Sequence, residues 1–196
     1  MKKIILASNS PRRKDILSQL GLEFQVEKSN FKEVKDEIFK IENIKKNSLG
    51  KALEIANRFE FEAIVIGADT MVILDSVCLN KPRNQNEAFL MLKNLSGKTH
   101  KVITSISIVE TKTLKNFSDY TTTKVTFKKL SDDEILTYIK EKNPLDKAGS
   151  YGIQDFIPYE FANTKTSGGF IEKIEGDYYN VVGMSKNLLE QILKNF

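Results

Sequence analysis

One cysteine and one histidine, Cys78 and His100, are all that 196 residues provide of those two metal-binding types. A lone cysteine excludes an internal disulfide and any cysteine-based zinc site, and fits a reducing compartment. A lone histidine excludes a histidine-based zinc site and leaves a Ser–His–Asp triad with little support, so His100 reads as structural. Long apolar runs are missing too: no segment approaches the ~20 apolar residues of a membrane span. The opening MKKIILASNSPRR holds only Ile4 to Ala7 as an apolar run and soon meets Arg12 and Arg13, too short for the core of a secretory signal. A cytoplasmic protein with no membrane partner is the expectation. Neither GxxxxGKS/T nor GxGxxG occurs, which removes the Walker and dinucleotide loops. No repeat, low-complexity tract or Pro/Gly/Ser-rich linker divides the chain, so one domain over residues 1–196 is expected.

What is present is an ordinary globular composition, 40% hydrophobic and 29% charged. The formal net charge of +4 favours anionic ligands only mildly. With no basic cluster and no repeated aromatic–basic segments, a nucleic-acid partner is not expected. Arginine is scarce. It occurs at positions 12, 13, 58 and 83, in a chain whose lysines and arginines total 30. The adjacent pair Arg12–Arg13 suggests a need for planar, bidentate recognition of phosphate or carboxylate, with chance adjacency as the other reading.

Strand-like and helix-like segments alternate, which argues for α/β or α+β. KIILA (residues 3–7) reads as a strand, and PRRKDILSQLG as a helix with Pro11 at its first position and Gly21 at its end. A strand around 24–27 and a helix around 44–59 follow, the helix marked by Leu49, Ala52, Leu53 and Ala56. AIVIGADTMVIL, residues 63–74, reads as two strands on either side of GADT. Next come a helix closed by Gly97, strands around 100–110 and 117–128, and a helix capped by Ser131. Residues 144–170 read mostly as loop. Strands around 170–174 and 178–182 precede a final helix.

Asp69 raises the sharpest question, because an unpaired buried charge costs several kcal/mol. It must sit at a turn in water, pair with a cation, or serve chemistry. Following a strand, it is expected near a sheet edge, where it could hold Mg²⁺ or take a proton from water, with Thr70 beside it. In ASNSPRR a strand gives way to a helix with Ser10 as cap. The free N–H groups of that first turn, together with Ser8, Ser10, Arg12 and Arg13, form a candidate phosphate site; the alternative is an ordinary turn with its arginines in solvent. Lys51, Lys81 and Lys147 could each reach a phosphate, and each could equally be a solvated surface group. Glu33 is a candidate second metal ligand in a segment that otherwise reads as a solvated loop. In DKAGSYGIQ, Tyr151 offers a stacking ring, and the Gln154 carboxamide can match the N3–H and O4 edge of uracil or thymine, with a loop glutamine in water as the other reading.

Taken in order, SNSPRR, GADTMV, NKPR, LSGKTHKV, LDKAGSYGIQ and EGDYYNVVG resemble the motifs of the Maf family of nucleoside triphosphate pyrophosphatases, over nearly the whole chain. The resemblance implies an α/β (α+β) fold: an extended mixed β-sheet with flanking helices, and two lobes around a nucleotide cleft, like the inosine triphosphate pyrophosphatases. It implies hydrolysis of a nucleoside triphosphate to the monophosphate and pyrophosphate with a divalent cation, Mg²⁺ or Mn²⁺. Asp69 matches the family's catalytic aspartate. Arg12, Thr70 and Gln154 match the marks of the subgroup acting on dTTP and UTP. Phosphates would sit on the Ser8–Arg13 turn with Lys51 and Lys81, and the metal would lie between Asp69 and Glu33. A homodimer is expected on the same ground.

Two stretches depart from the family pattern. DFIPYEFANTKTSGG, directly after Gln154, is roughly ten residues longer than the usual glycine-containing link, and reads as a lid, a partner contact or a widened surface loop. MSKNLL replaces the common LPL after VVG. The rival readings are a non-catalytic nucleotide-binding regulator of cell division and a house-cleaning enzyme for modified pyrimidine nucleotides.

Overall fold

The computed structural model describes residues 2–196. Its first unit is β1 (Lys3–Leu6) followed by α1 (Pro11–Gln19), where Pro11 occupies the first helical position with its φ already set. Gly21, at φ +68°, turns the chain into β2 (Phe24–Val26). α2 (Ile41–Ala56) starts three residues earlier than its apolar spacing indicated and stops before Phe59. β3 (Ala63–Leu74) runs unbroken through GADT and returns through Asp75 and Ser76, at φ 49° and 69°, into β4 (Val77–Leu79). The expected break at GADT is absent because β5 pairs with β3 along that whole stretch, Gly67 opposite Ser107 and Thr70 opposite Thr104.

α3 (Gln85–Leu95) begins with Asn84 accepting from the Glu87 N–H and closes at Ser96 before Gly97. β5 (Thr99–Glu110) and β6 (Asn116–Phe127) form a long antiparallel pair. α4 (Asp132–Lys142) carries a reciprocal capping box between Ser131 and Glu134, worth about 1 kcal/mol. Residues 144–161 include four single-turn 3₁₀ helices, and β7 (Ile171–Glu175) closes the sheet. The YYNVV run is a helix, α5 (Tyr178–Val182), and not the strand its β-branched and aromatic residues suggest. Asp177 accepts from the Tyr179 N–H at its start and Gly183 ends it at φ +130°, so local capping overrides the propensity of five residues. α6 (Lys186–Leu193) completes the chain.

The seven strands form one mixed sheet in the order β2-β1-β3-β5-β6-β7, with β4 beside the far end of β3. β1 lies parallel to both β2 and β3, and the other pairs are antiparallel. Both faces are covered. α2 packs on one face over Ile5, Val65 and Val109, while Leu6, Ile66, Ile106 and Phe127 face a larger core completed by the other helices. Among the described residues no helix is long and apolar enough to cross a membrane.

Candidate active site

The two-residue period of β3 sends Val65, Gly67, Asp69 and Met71 to the face under α2, and Ile66, Ala68 and Thr70 to the other. β1 stops pairing at Leu6 opposite Ile66, and β4 takes over only at Val72. Among the described residues, 67–71 therefore have no strand neighbour on that edge. Asp69 and Thr70 point to opposite faces, yet both reach one cleft that wraps around the open edge.

On the first face, α2 comes very close at Gly67. A Cβ there would lie 2.2 Å from the Ser48 carbonyl oxygen and 2.9 Å from the Ala52 nitrogen. This approach brings Asn47 and Lys51, one helical turn apart, over Asp69. Asp69 is 7% exposed; its Oδ2 accepts from Asn47 Nδ2 at 2.9 Å and its Oδ1 from Lys51 Nζ at 2.7 Å. Lys51 also donates to the Ala68 carbonyl at 3.3 Å and pairs with Glu33 Oε1 at 2.6 Å. Glu33 thus borders the cleft from a segment that is, as read, a loop without a buried residue. Burial pushes its carboxyl up, but Lys51, then Lys81 and Lys35, outweigh that and hold it below the usual glutamate range.

Asn47 escaped the sequence reading. Buried at 1% exposure, it accepts from the Val34 N–H at 2.8 Å and donates to the Val34 carbonyl at 3.1 Å while holding Asp69. One carboxamide therefore ties the Glu33 segment to β3.

On the second face, Thr70 Oγ1 lies 3.0 Å from Thr104 Oγ1 and accepts from Arg13 Nη2 at 3.2 Å. Arg13 also donates through Nε to the Gly183 carbonyl at 3.1 Å and through Nη1 to Ser8 Oγ at 3.2 Å. All three acceptors are neutral, and among the described residues no carboxylate lies within ion-pair distance of Arg13. Burial lowers its proton affinity and the charge of Asp69 acts the other way; the guanidinium stays charged. A partly buried cation without an anion is the mark of a site for one.

Ser10 stands at the N-cap position of α1, but its side chain makes no capping bond, contrary to expectation. Ser8 Oγ instead accepts from the Ser10 N–H at 3.2 Å. The first-turn N–H groups beside Arg13 are left without a side-chain cap, which suits an anion. Arg12 is separate from this cluster: its Nη1 pairs with Asp146 Oδ2 at 2.9 Å, where Lys147 also pairs, at 2.8 Å. Lys81 is exposed and borders the cleft.

Gln154 also borders the cleft, with its Nε2 donating to the Tyr159 hydroxyl at 3.1 Å. Tyr151 does not offer a stacking face. It is 5% exposed, edge-on to His100 and Phe127, with its hydroxyl 2.7 Å from His100 Nε2. His100 is thus structural, as its isolation in the sequence indicates. Residues 155–170 do not line the cleft in this structure.

The cleft encloses about 540 Å³, in the range of small-molecule sites. Seven basic and three acidic residues line it, an excess of four positive charges that equals the formal net charge of the whole chain. The charge that looks mild when spread over the sequence is gathered in one place, where low-dielectric walls strengthen it.

The model of the family described as Maf-like protein matches residues 3–196. A protein of Thermoanaerobacter sp. (strain X514) named dTTP/UTP pyrophosphatase is 47% identical over 192 residues, covering 98% of this chain and 95% of the relative. One of Alkaliphilus oremlandii with the same name is 43% identical over 196 residues, covering 100% and 96%, and one of Clostridium beijerinckii is 44% identical over 195 residues, covering 98% of each. A HAM1 protein structure from Coxiella burnetii superposes with TM-score 0.46 at 13% identity, over 65% of this chain and 73% of that one, a likeness too slight to argue from. With the six motifs folded onto one cleft and the match running almost from end to end, the chain belongs to the Maf family.

Proposed function

We propose that this protein hydrolyses dTTP and UTP between the α and β phosphates, giving the monophosphate and pyrophosphate. The observation that carries the proposal is a buried carboxylate, Asp69, and a half-buried cation, Arg13, which has no carboxylate partner among the described residues; they meet the two faces of one strand at the wall of a cationic cleft. The relatives' names supply the substrate class.

In this reading the triphosphate lies on the uncapped first turn of α1, where Arg13 and the N–H groups bind its oxygens. Thr70 and Ser8 hold the Arg13 fork so that its remaining donors face the phosphates. Lys51 and Lys81 bring further positive charge, and Gln154 reads the pyrimidine edge. Asn47 fixes Oδ2 of Asp69, while Oδ1 meets Lys51.

A divalent cation fits the donor set. Asp69 Oδ1 and Glu33 Oε1 converge on a single ammonium, Lys51 Nζ, so both oxygens are already aimed at one cationic point. Among the described residues no group of three or more His, Cys, Asp or Glu side chains could hold a metal alone. Two carboxylates, with water and phosphate oxygens completing the shell, match how Mg²⁺ is usually held at phosphates. When bound, such a cation would draw charge from the phosphate oxygens and favour ionisation of the attacking water.

The test is product identification. Purified protein with Mg²⁺ is offered UTP, dTTP, CTP, GTP and 7-methyl-GTP, with Asp69→Asn as control. UMP or dTMP plus pyrophosphate, lost by about 10²-fold or more in the variant, is expected. UDP plus phosphate would overturn the cleavage position, and no turnover of any nucleotide would overturn the enzymatic reading.

A further inference from the structure

The segment after Gln154 is well anchored for a stretch that lines no cleft. Phe156 stacks on Phe170 at 4.6 Å and 29°, and leans on Tyr138 at 5.1 Å. Ile157 is 1% exposed, and its carbonyl accepts from the Tyr178 hydroxyl at 2.5 Å. Gly168 and Gly169 close the segment against Phe156: a Cβ on either would lie 2.7 Å from its carbonyl oxygen or 2.4 Å from its ring. Between these anchors, the Tyr159 ring lies parallel to Tyr179 at 6.2 Å and edge-on to Tyr178 at 6.2 Å. Tyr179 in turn donates its hydroxyl to Gln19 on α1. The ring has little freedom, and its hydroxyl is aimed back at Gln154, five residues earlier.

We propose that Tyr159 is a positioning residue for base recognition, its hydroxyl 3.1 Å from Gln154 Nε2 holding the carboxamide in place at the cleft wall. The proposal rests on the reading of Gln154 as the group that meets the base. A glutamine side chain has three rotatable bonds, and ordering it on binding costs part of the affinity it supplies. With Nε2 turned to Tyr159, Oε1 and the second N–H remain for a ligand. That pair matches the N3–H donor and adjacent carbonyl of uracil and thymine; cytosine presents the reverse polarity at both atoms. A carboxamide already oriented discriminates between them, and one released from Tyr159 can turn to suit either. The long segment thus acts from behind the base reader.

Tyr159→Phe removes the hydroxyl and keeps the ring in its stack. The UTP-over-CTP ratio of kcat/KM is expected to fall about tenfold, carried mainly by KM for UTP. A purely structural role would lower Tm and reduce both nucleotides alike. In a Gln154→Ala background the same substitution is expected to leave the ratio within twofold, because the group it positions is gone. Tyr159→Leu, which removes the ring as well, should show the same fall in ratio together with a lower Tm. A parent that prefers UTP and a Tyr159→Phe variant that keeps that preference would overturn this proposal alone. A parent with no preference for UTP over CTP would overturn the reading of Gln154 and this proposal with it.

Discussion

Lys51 Nζ stands 2.6 Å from Glu33 Oε1 and 2.7 Å from Asp69 Oδ1, a single ammonium bridging two of the three carboxylates that line the cleft. Two acidic groups so close would repel each other without it, and the bridge holds both facing inward. On the proposed reading it also sets up a competition, since the point assigned to a divalent cation is the point the ammonium approaches.

Replacing Lys51 with Ala should separate its two roles. The carboxylates lose their counter-charge, so Mn²⁺ alone, without nucleotide, should raise Tm more in the variant than in the parent. KM for UTP should rise at the same time, because the proposed phosphate contact of Lys51 is gone. Thermal unfolding with and without Mn²⁺, beside steady-state kinetics, reads both. A variant with an unchanged metal response would argue against convergence of the two carboxylates on a cation.

Arg13 divides its fork among Gly183, Ser8 and Thr70, and lysine cannot reproduce that geometry. Arg13→Lys is therefore expected to raise KM for UTP at least tenfold although the charge is kept. Arg12→Lys should cost less, because Arg12 reaches only an exposed pair with Asp146. Equal effects at the two positions would contradict the distinction.

Gly67→Ala would drive a methyl group into the Ser48 carbonyl. The expected result is a loss of about 1–3 kcal/mol in urea unfolding, the usual range for overpacking. A lower kcat should accompany it, because Asn47 and Lys51 move with α2. Full activity in a destabilised variant would show that the approach of α2 matters to folding and not to Asp69.

His100 sets a pH dependence of stability. Burial pushes its pKa down to about 3, and among the described residues Nδ1 has no partner, so an added proton there would find no acceptor. An unfolded histidine titrates near 6.5, so between that pH and about 3 the unfolded chain binds a proton that the folded one refuses. The stability this group allows is complete above about pH 6.5 and declines as acid is added, approaching about 1.4 kcal/mol per pH unit within the window. His100→Gln, which can still bond the Tyr151 hydroxyl, should remove about 2 kcal/mol of the loss between pH 7 and 5. Urea titrations at pH 7, 6 and 5 measure it, and equal slopes in parent and variant would refute the assignment.

Much of this arrangement is legible in the residues. Pro11 and Gly21 mark α1, and Ser131 with Glu134 marks α4, because each acts on its own backbone. Distant partners are what local patterns miss. GADT looks like an interruption of β3 because nothing nearby shows that β5 pairs across it and that Lys51 and Asn47 arrive from α2 to satisfy Asp69. Asn47 did leave a trace. Together with Ser48 it falls on the stripe of Ile44, Ala52 and Ile55, where a polar residue must find a buried partner. Tyr178–Val182 misleads for the opposite reason: five residues of strand-like composition are too few to outweigh a good cap at each end. The role of Tyr159 was invisible, since it depends on where a ring comes to rest five residues after the side chain it touches.

The placement of Asp69 and Thr70 on the two faces of β3 makes the site a matter of parity. Which of them meets the carboxylate partners and which meets Arg13 is set by whether a position in the strand is odd or even, and that count is locked by the pairing of Asp69 with Ser105. Inserting one residue between Gly67 and Asp69 would leave the composition almost unchanged and send each side chain to the wrong side of the sheet. A two-residue insertion would restore the faces but displace both groups along the strand by about 7 Å. The strand through GADT can therefore tolerate many substitutions that its neighbours accommodate, but no change in its length.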